Sequence, residues 1–257
     1  MDINLLQPIL TAAFVAAVAS LVGSFAILKR MALVGDAMSH VALPGIAIAL
    51  LLNLNPFLGA IVFLTMAIIG VWIVQYHSNL SIDTIVGVFF TASLALGALI
   101  TPEHELLEAL LGNITDLSWQ ESLVSIILSI ILIAVILRLR KKLTLNMVSP
   151  EMAHSIGIKN KRLEFIYLII FALVVSLGIR FVGALLMGSL VIIPAASAKN
   201  IAKSLNSFMG LSVIFGVLAA MAGIYFSSIY NLASGPIFII ISAVIFIISL
   251  IIRGSRR

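Results

Sequence analysis

Residues 8–28 have the sequence PILTAAFVAAVASLVGSFAIL, a run of 21 positions without a charged side chain. A helix of about 20 apolar residues crosses the roughly 30 Å hydrocarbon core of a bilayer. No basic residue precedes this run and Lys29-Arg30 follows it, so it lacks the pattern of a cleaved signal peptide. We therefore expect it to remain in the mature protein as a membrane-spanning helix.

Apolar runs of similar length recur along the whole chain. Hydrophobic residues make up 62% of the 257 positions and charged residues only 10%, whereas an average soluble domain contains roughly 25% charged residues. The sequence predicts an all-α, polytopic membrane helix bundle of about eight or nine transmembrane helices, with residues 1–257 as a single transmembrane domain. The predicted spans are 8–28, 31–52, 57–76, 84–101, 121–139, 165–179, 182–198, 205–226 and 237–252. Two pairs of spans have very short connections, so one member of either pair could be short or re-entrant.

The basic residues predict the orientation, because Lys and Arg in short loops favour the cytoplasmic side. Fourteen of the 15 Lys and Arg residues occupy positions that nine alternating spans place on one side, with the N-terminus outside. They are Lys29, Arg30, Arg138, Arg140, Lys141, Lys142, Lys159, Lys161, Arg162, Lys199, Lys203, Arg253, Arg256 and Arg257. Only Arg180 falls on the other side, together with the acidic outer loop 102–120. The localisation predicted is the cell membrane.

Several functional classes are excluded by missing motifs. The chain has no cysteine, which rules out disulfides, thiolate metal sites and a cysteine nucleophile. It contains no Gly-x-x-x-x-Gly-Lys-Ser/Thr phosphate loop and no His-Glu-x-x-His zinc-protease motif. The net charge of +5 comes from loops flanking membrane spans and does not indicate nucleic acid. We expect a protein that is not an enzyme and that binds no permanent cofactor.

Asp36 and His40 are the two ionisable residues in the second span, within Gly35-Asp36-Ala37-Met38-Ser39-His40. A spacing of four places both on one helix face. At about 1.5 Å per residue from Arg30, they lie about 9 and 15 Å into the span. Ionisable residues at such depth usually mark an ion or substrate path. A carboxylate and an imidazole suit a divalent cation such as manganese, zinc or ferrous iron. The alternative is a polar pair that only fastens two helices.

The central basic loop contains a predicted short helix. Ser149-Pro150-Glu151 combines a helix cap, a proline at the first helical position and an acid in the first turn, and Gly157 can end the helix. A surface helix with the pattern Glu151-x-Ala153-x-x-x-Gly157 could dock a cytoplasmic partner. The alternative is a connecting helix at the lipid headgroups. In the later spans, Gly183, Gly188 and Pro194 are best explained by close helix packing.

Four stretches together resemble a known family. They are Ala32 to Gly45 (ALVGDAMSHVALPG), the pattern from Glu151 to Gly157, Val182 to Ala198 (VGALL followed by IIPAASA) and Ser234-Gly235-Pro236. The chain resembles the permease subunits of the manganese, zinc and iron importers of the ATP-binding cassette (ABC) class. The first stretch is specific to the family and the second much less so.

This resemblance implies a complete mechanism. Two copies of the chain would form a pathway, two cytoplasmic ATP-binding subunits would power it, and an extracellular metal-binding lipoprotein or periplasmic protein would deliver the ion. Asp36 and His40 match the family's metal-coordinating acid and histidine. The segment near 140–164, with Glu151, Ala153 and Gly157, matches the loop that couples to the ATPase. The outer-loop residues gain no support as ligands; they are Glu103, His104, Glu105 and Glu108.

Two other functions remain open from the residues alone. A secondary transporter driven by an ion gradient would use the same Asp36 and His40, and it would transport as a purified chain. A scaffold subunit would use the pair only for packing, so that Asp36→Asn would alter protein abundance rather than ion flux. Neither the residues nor the resemblance selects among manganese, zinc and iron.

Overall fold

The computed structural model describes residues 3–32, 34–78, 80–100, 118–184, 186–230 and 232–254. These residues form helices joined by short connections, which confirms the predicted all-α class. The helices are α1 (Ile3–Leu28), α2 (Val34–Val41), α3 (Leu43–Leu51), α4 (Pro56–His77), α5 (Ile82–Ile100), α6 (Trp119–Val148), α7 (Pro150–Ser155), α8 (Asn160–Val182), α9 (Met187–Ile201), α10 (Leu205–Tyr230) and α11 (Ser234–Gly254). The predicted outer loop lies mostly outside the described residues.

Eight segments of the described chain are long and apolar enough to cross a bilayer, α2 and α3 counting together as one. This agrees with the prediction of eight or nine. The remaining predicted span, 182–198, contains a helix of only 15 residues, because α8 continues to Val182 and α9 begins at Met187. The irregular connection starts at Gly183, whose φ of 83° ends α8. The predicted short member of this pair is therefore α9.

A second interruption separates α2 from α3. Pro44 lies in the first turn of α3, where a missing backbone N–H costs no hydrogen bond. Ala42 connects the two helices, and the backbone N–H of Ile46 donates to its carbonyl over 3.0 Å. The helix is therefore interrupted just before Pro44-Gly45, which leaves α2 as a separate eight-residue helix.

Helix α1 occupies the centre of the bundle. It packs against α6, α8, α9 and α10, and 83% of its most apolar 18-residue stretch is buried. By contrast, only 22–28% of the corresponding stretch is buried in α4, α5, α6 and α11. The outer helices thus present apolar side chains to lipid, as expected where the solvent is hydrocarbon.

Polar contacts identify the two ends of the bundle. At one end, which we call the basic end, Lys29 forms an ion pair with Glu164 at 2.7 Å. The same end holds the contact between Arg253 and Asn200. At the opposite end, the Arg180 guanidinium donates to both carboxylate oxygens of Glu121, at 2.7 and 2.9 Å. The one basic residue that departs from the predicted charge distribution is therefore neutralised by a bidentate partner.

Candidate functional site

Asp36 and His40 both lie on α2, so the prediction that they share one helix is confirmed. The Asp36 side chain is exposed and the His40 side chain is half-buried. Since the residues are four positions apart, their side chains project from the same face of α2 one turn apart. An exposed carboxylate on a membrane helix is costly in lipid. This face therefore requires a polar neighbour or a water-filled path.

The Ser39 hydroxyl connects α2 to the segment between α8 and α9. The Ser39 hydroxyl is within donating distance of the Asp36 carbonyl at 2.7 Å and of the Ala184 carbonyl at 2.6 Å. Ala184 belongs to the irregular connection between α8 and α9, so Ser39 satisfies a carbonyl that no helix uses. Met38, between the two candidate residues, is completely buried. One face of α2 is thus fixed against the protein while Asp36 remains accessible.

Gly188 brings the start of α9 into contact with Asp36. A Cβ atom at Gly188 would lie 2.6 Å from the Asp36 Cβ and 2.8 Å from its Cα, distances that no side chain tolerates. The absence of a side chain at this position therefore allows the two helices to meet. From the sequence alone Gly188 is only a packing residue, because the candidate site lies 152 positions away.

The His40 imidazole has one unused nitrogen. Its Nδ1 atom is buried, and within the described part of the chain it has no hydrogen-bond partner. The ring packs edge-on against Phe90, with 5.4 Å between centroids. Buried polar atoms are rarely left without a partner, and a neutral imidazole nitrogen is a common metal ligand. Asp36 is also close enough to act on the imidazole electrostatically.

The described residues of a single chain offer an incomplete ligand set. Among them, no three His, Cys, Asp or Glu side chains come together in a way that could hold a metal ion. Asp36 and His40 alone would therefore form at most a candidate half-site with two ligands. The outer-loop residues named in the sequence lie outside the described residues; they are Glu103, His104, Glu105 and Glu108. Met38 and Met187 are both fully buried, as side chains with a packing role are.

The predicted surface helix is present at the basic end as α7, with the expected caps. The Ser149 hydroxyl accepts a hydrogen bond from the Met152 backbone N–H at 3.4 Å, and Pro150 starts the helix. Gly157 follows with a φ of 83°, a conformation that favours glycine. Glu151 and Gly157 are exposed, whereas Ala153 is completely buried. Ala153 is therefore in a position to anchor α7 to the bundle.

Three exposed apolar side chains lie on α7 and at its two ends. Val148 at the end of α6, Met152 on α7 and Ile156 directly after α7 are 79%, 58% and 63% exposed, respectively. Exposed apolar side chains close together commonly mark a contact surface for another protein. The sequence pattern singled out Glu151 and not these three residues, because a six-residue helix is too short for periodicity to be visible.

Contacts connect α7 with the helix that carries the candidate ligands. The Asn160 side chain donates to the Pro150 carbonyl at 2.8 Å. One turn further along α8, Glu164 pairs with Lys29 at the end of α1. Lys29 precedes Asp36 by seven positions, through the turn that joins α1 to α2. These two contacts, together with the backbone of α8 and of the turn between α1 and α2, provide a physical connection from α7 to α2.

Comparison with known proteins identifies the architecture. The model of the ABC 3 transport family matches residues 1–253. The chain belongs to the ABC 3 transport family. Membership confirms the predicted class of multi-pass membrane permease and gives no support to the secondary-transporter alternative. It also agrees with a location in the plasma membrane.

Individual relatives of this family cover nearly the whole chain. The manganese transport system membrane protein MntC of Listeria monocytogenes is 33% identical over 254 residues, covering 97% of this chain and 91% of the relative. The high-affinity zinc uptake system membrane protein ZnuB of Haemophilus influenzae is 33% identical over 255 residues, covering 97% of each. The solved structure of PsaBC from Streptococcus pneumoniae in complex with Fab matches with a TM-score of 0.85 and 30% identity, covering 97% of this chain and 91% of that chain.

Proposed function

We propose that this chain is the permease subunit of an ABC importer for a divalent transition metal ion. The observation that carries the proposal is the half-site on α2, where the exposed Asp36 carboxylate and the unpaired His40 Nδ1 lie one turn apart. The names of the relatives support manganese or zinc as the transported ion. Carboxylate and imidazole accept both of these ions, and iron as well.

A second copy of the chain completes the site in this proposal. Because one chain contributes two ligands, two copies related by a twofold axis would contribute four, enough for the tetrahedral geometry that zinc favours. The ion is the substrate, held only transiently, and no cofactor is bound permanently. An external metal-binding protein would deliver the ion to the outer end of the pathway.

The segment near 140–164 is the proposed coupling loop. The positive-inside rule assigns the basic end to the cytoplasm, where α7 would contact an ATP-binding subunit. Closure of two such subunits would move α7, and the contacts through Asn160, Glu164 and Lys29 would shift α2 and open the pathway inward. In this proposal the chain catalyses no reaction, and ATP is hydrolysed by the partner.

A reconstitution experiment tests the proposed class of transporter. Proteoliposomes containing the full chain alone should take up no manganese or zinc, while those containing the chain with its ATPase and metal-binding protein should take up metal when ATP is present inside. The measurement is metal accumulated in the vesicles, determined by elemental analysis. Uptake by the chain alone, driven by a proton or sodium gradient, would reject the proposal.

The exposed Met152 side chain on α7 provides a test of coupling. We expect Met152→Glu to reduce the amount of ATPase that co-purifies with the chain by about thirtyfold or more, because interface anchors typically contribute about 2 kcal/mol or more. Leu232→Glu is the matched control, since Leu232 is 59% exposed at the opposite end of the bundle. Equal recovery of ATPase with both variants would contradict the role assigned to α7.

A further inference from the structure

A cavity of about 520 Å³ opens at the basic end, between the last turns of α6 and the first turns of α8. Four of its lining side chains are basic and none is acidic. The basic residues are Lys141, Lys142, Lys159 and Arg162, and all four are exposed. The cavity is thus a concave surface with a concentrated positive charge.

Among the described residues, this charge has no ion-pair partner. In the part of the chain that the structure describes, no carboxylate lies within 4.0 Å of these four cations. Other basic residues at the same end do have partners: Lys29 pairs with Glu164, and Lys161 lies 3.8 Å from the centre of the Tyr76 ring. Four unpaired cations around one cavity repel one another, so an anion bound there would relieve the repulsion.

The cavity lies at the expected depth of the lipid headgroups. Helix α6 begins at Trp119, and twenty residues of helix cover about 30 Å, the thickness of the hydrocarbon core. The boundary at the basic end therefore falls near Leu139 on α6. On α8, twenty residues counted back from Val182, the last residue of the helix, reach Arg162. Two helices thus place the boundary independently at the residues that line the cavity.

The walls of the cavity are apolar on the membrane side. Leu139 precedes Lys141 and Lys142 on α6, and Ile166 lies one turn deeper than Arg162 on α8. Cations at the headgroup level with apolar side chains directly below them match the two parts of a phospholipid. A free phosphate ion or an acidic protein segment would use the cations but not these walls.

We propose that the cavity binds the headgroup of an anionic phospholipid, with its phosphate between the four cations and the start of an acyl chain against Leu139 and Ile166. Gly157 and Ile158, which follow α7, also line the cavity. The bound lipid would therefore stabilise the position of α7 relative to the bundle. This inference does not depend on which ion the protein transports.

Native mass spectrometry of the full chain in detergent tests the proposal. Titration with phosphatidylglycerol or cardiolipin should give a saturable lipid-bound species, and titration with phosphatidylcholine should not. The double variant Lys142→Gln/Arg162→Gln should bind the anionic lipid about thirtyfold more weakly. Each basic residue near an anionic membrane surface typically contributes a factor of about five, and the variant removes two of them. The matched control is Lys199→Gln/Lys203→Gln, which removes two exposed cations outside the cavity.

Further variants and a phosphate titration distinguish which molecule binds in the cavity. The charge-conserving variant Lys142→Arg/Arg162→Lys should retain lipid binding, which distinguishes loss of the site from loss of folding. Equal weakening in the control variant would show a diffuse basic surface and overturn the proposal. Displacement of the lipid by millimolar inorganic phosphate would identify a free-anion site instead. Normal lipid binding by Lys142→Gln/Arg162→Gln with loss of ATPase co-purification would assign the cavity to the protein partner.

Discussion

Asp36→Asn and His40→Ala should each lower metal uptake by about a hundredfold, at least as much as the loss of residues that merely support a metal ligand. In the proposed site each chain provides two ligands, so one substitution removes half of its contribution. In a symmetric pair of chains the same substitution removes two of four ligands. The expected measurement is the initial rate of manganese or zinc uptake at matched membrane abundance.

The chain offers a control for each substitution. Asp83 is an exposed acid in the first turn of α5, and His77 is an exposed histidine at the end of α4. Asp83→Asn and His77→Ala should leave uptake unchanged, because neither residue lies on α2. Normal uptake by both Asp36→Asn and His40→Ala would remove the candidate site. Reduced abundance with normal uptake per molecule would favour the scaffold alternative.

Gly188→Ala should lower uptake by about tenfold or more without any change in the ligands themselves. The new Cβ atom would meet the Asp36 Cα at 2.8 Å and its backbone nitrogen at 2.9 Å. Backbone atoms cannot rotate away, so α2 and α9 must separate. Overpacking of this kind costs about 1–3 kcal/mol, and the displacement carries Asp36 away from its position.

Gly210→Ala is the matched control for this substitution. Gly210 lies within α10, and a Cβ atom there would meet nothing within 4 Å. Alanine favours a helix over glycine by about 0.5–1 kcal/mol, so the control should be neutral or slightly stabilising in a thermal unfolding measurement. If Gly188→Ala transports at the normal rate, the contact between α2 and α9 does not position Asp36.

The membrane class and most helices could be predicted because hydrophobic length is a local property of the sequence. The break at Pro44 was predictable for the same reason, since proline affects the helix that contains it. The shortness of α9 was only an open alternative: its apolar residues continue through 182–186, and the conformation at Gly183 decides where the helix starts. The composition of residues 182–186 does not determine where α9 starts.

The site could be predicted only in part. Asp36 and His40 were visible as ionisable residues four positions apart within an apolar span. Their neighbours were not, because Ser39 bonds to Ala184 across 145 positions and Lys29 pairs with Glu164 across 135. Ala153 shows a different difficulty. A six-residue helix is too short for its buried face to be deduced from periodicity, and the structure buries a residue that the sequence grouped with the exposed Glu151.

The central position of α1 imposes an order on biogenesis. During synthesis α1 emerges first, yet α10, against which it packs most extensively, emerges about 180 residues later. Two hydroxyl groups of α1 need no later helix, because Thr11 and Ser24 donate to the carbonyls of Gln7 and Leu21 within α1. A nascent chain that stops before residue 205 nevertheless leaves its innermost helix without its main neighbour.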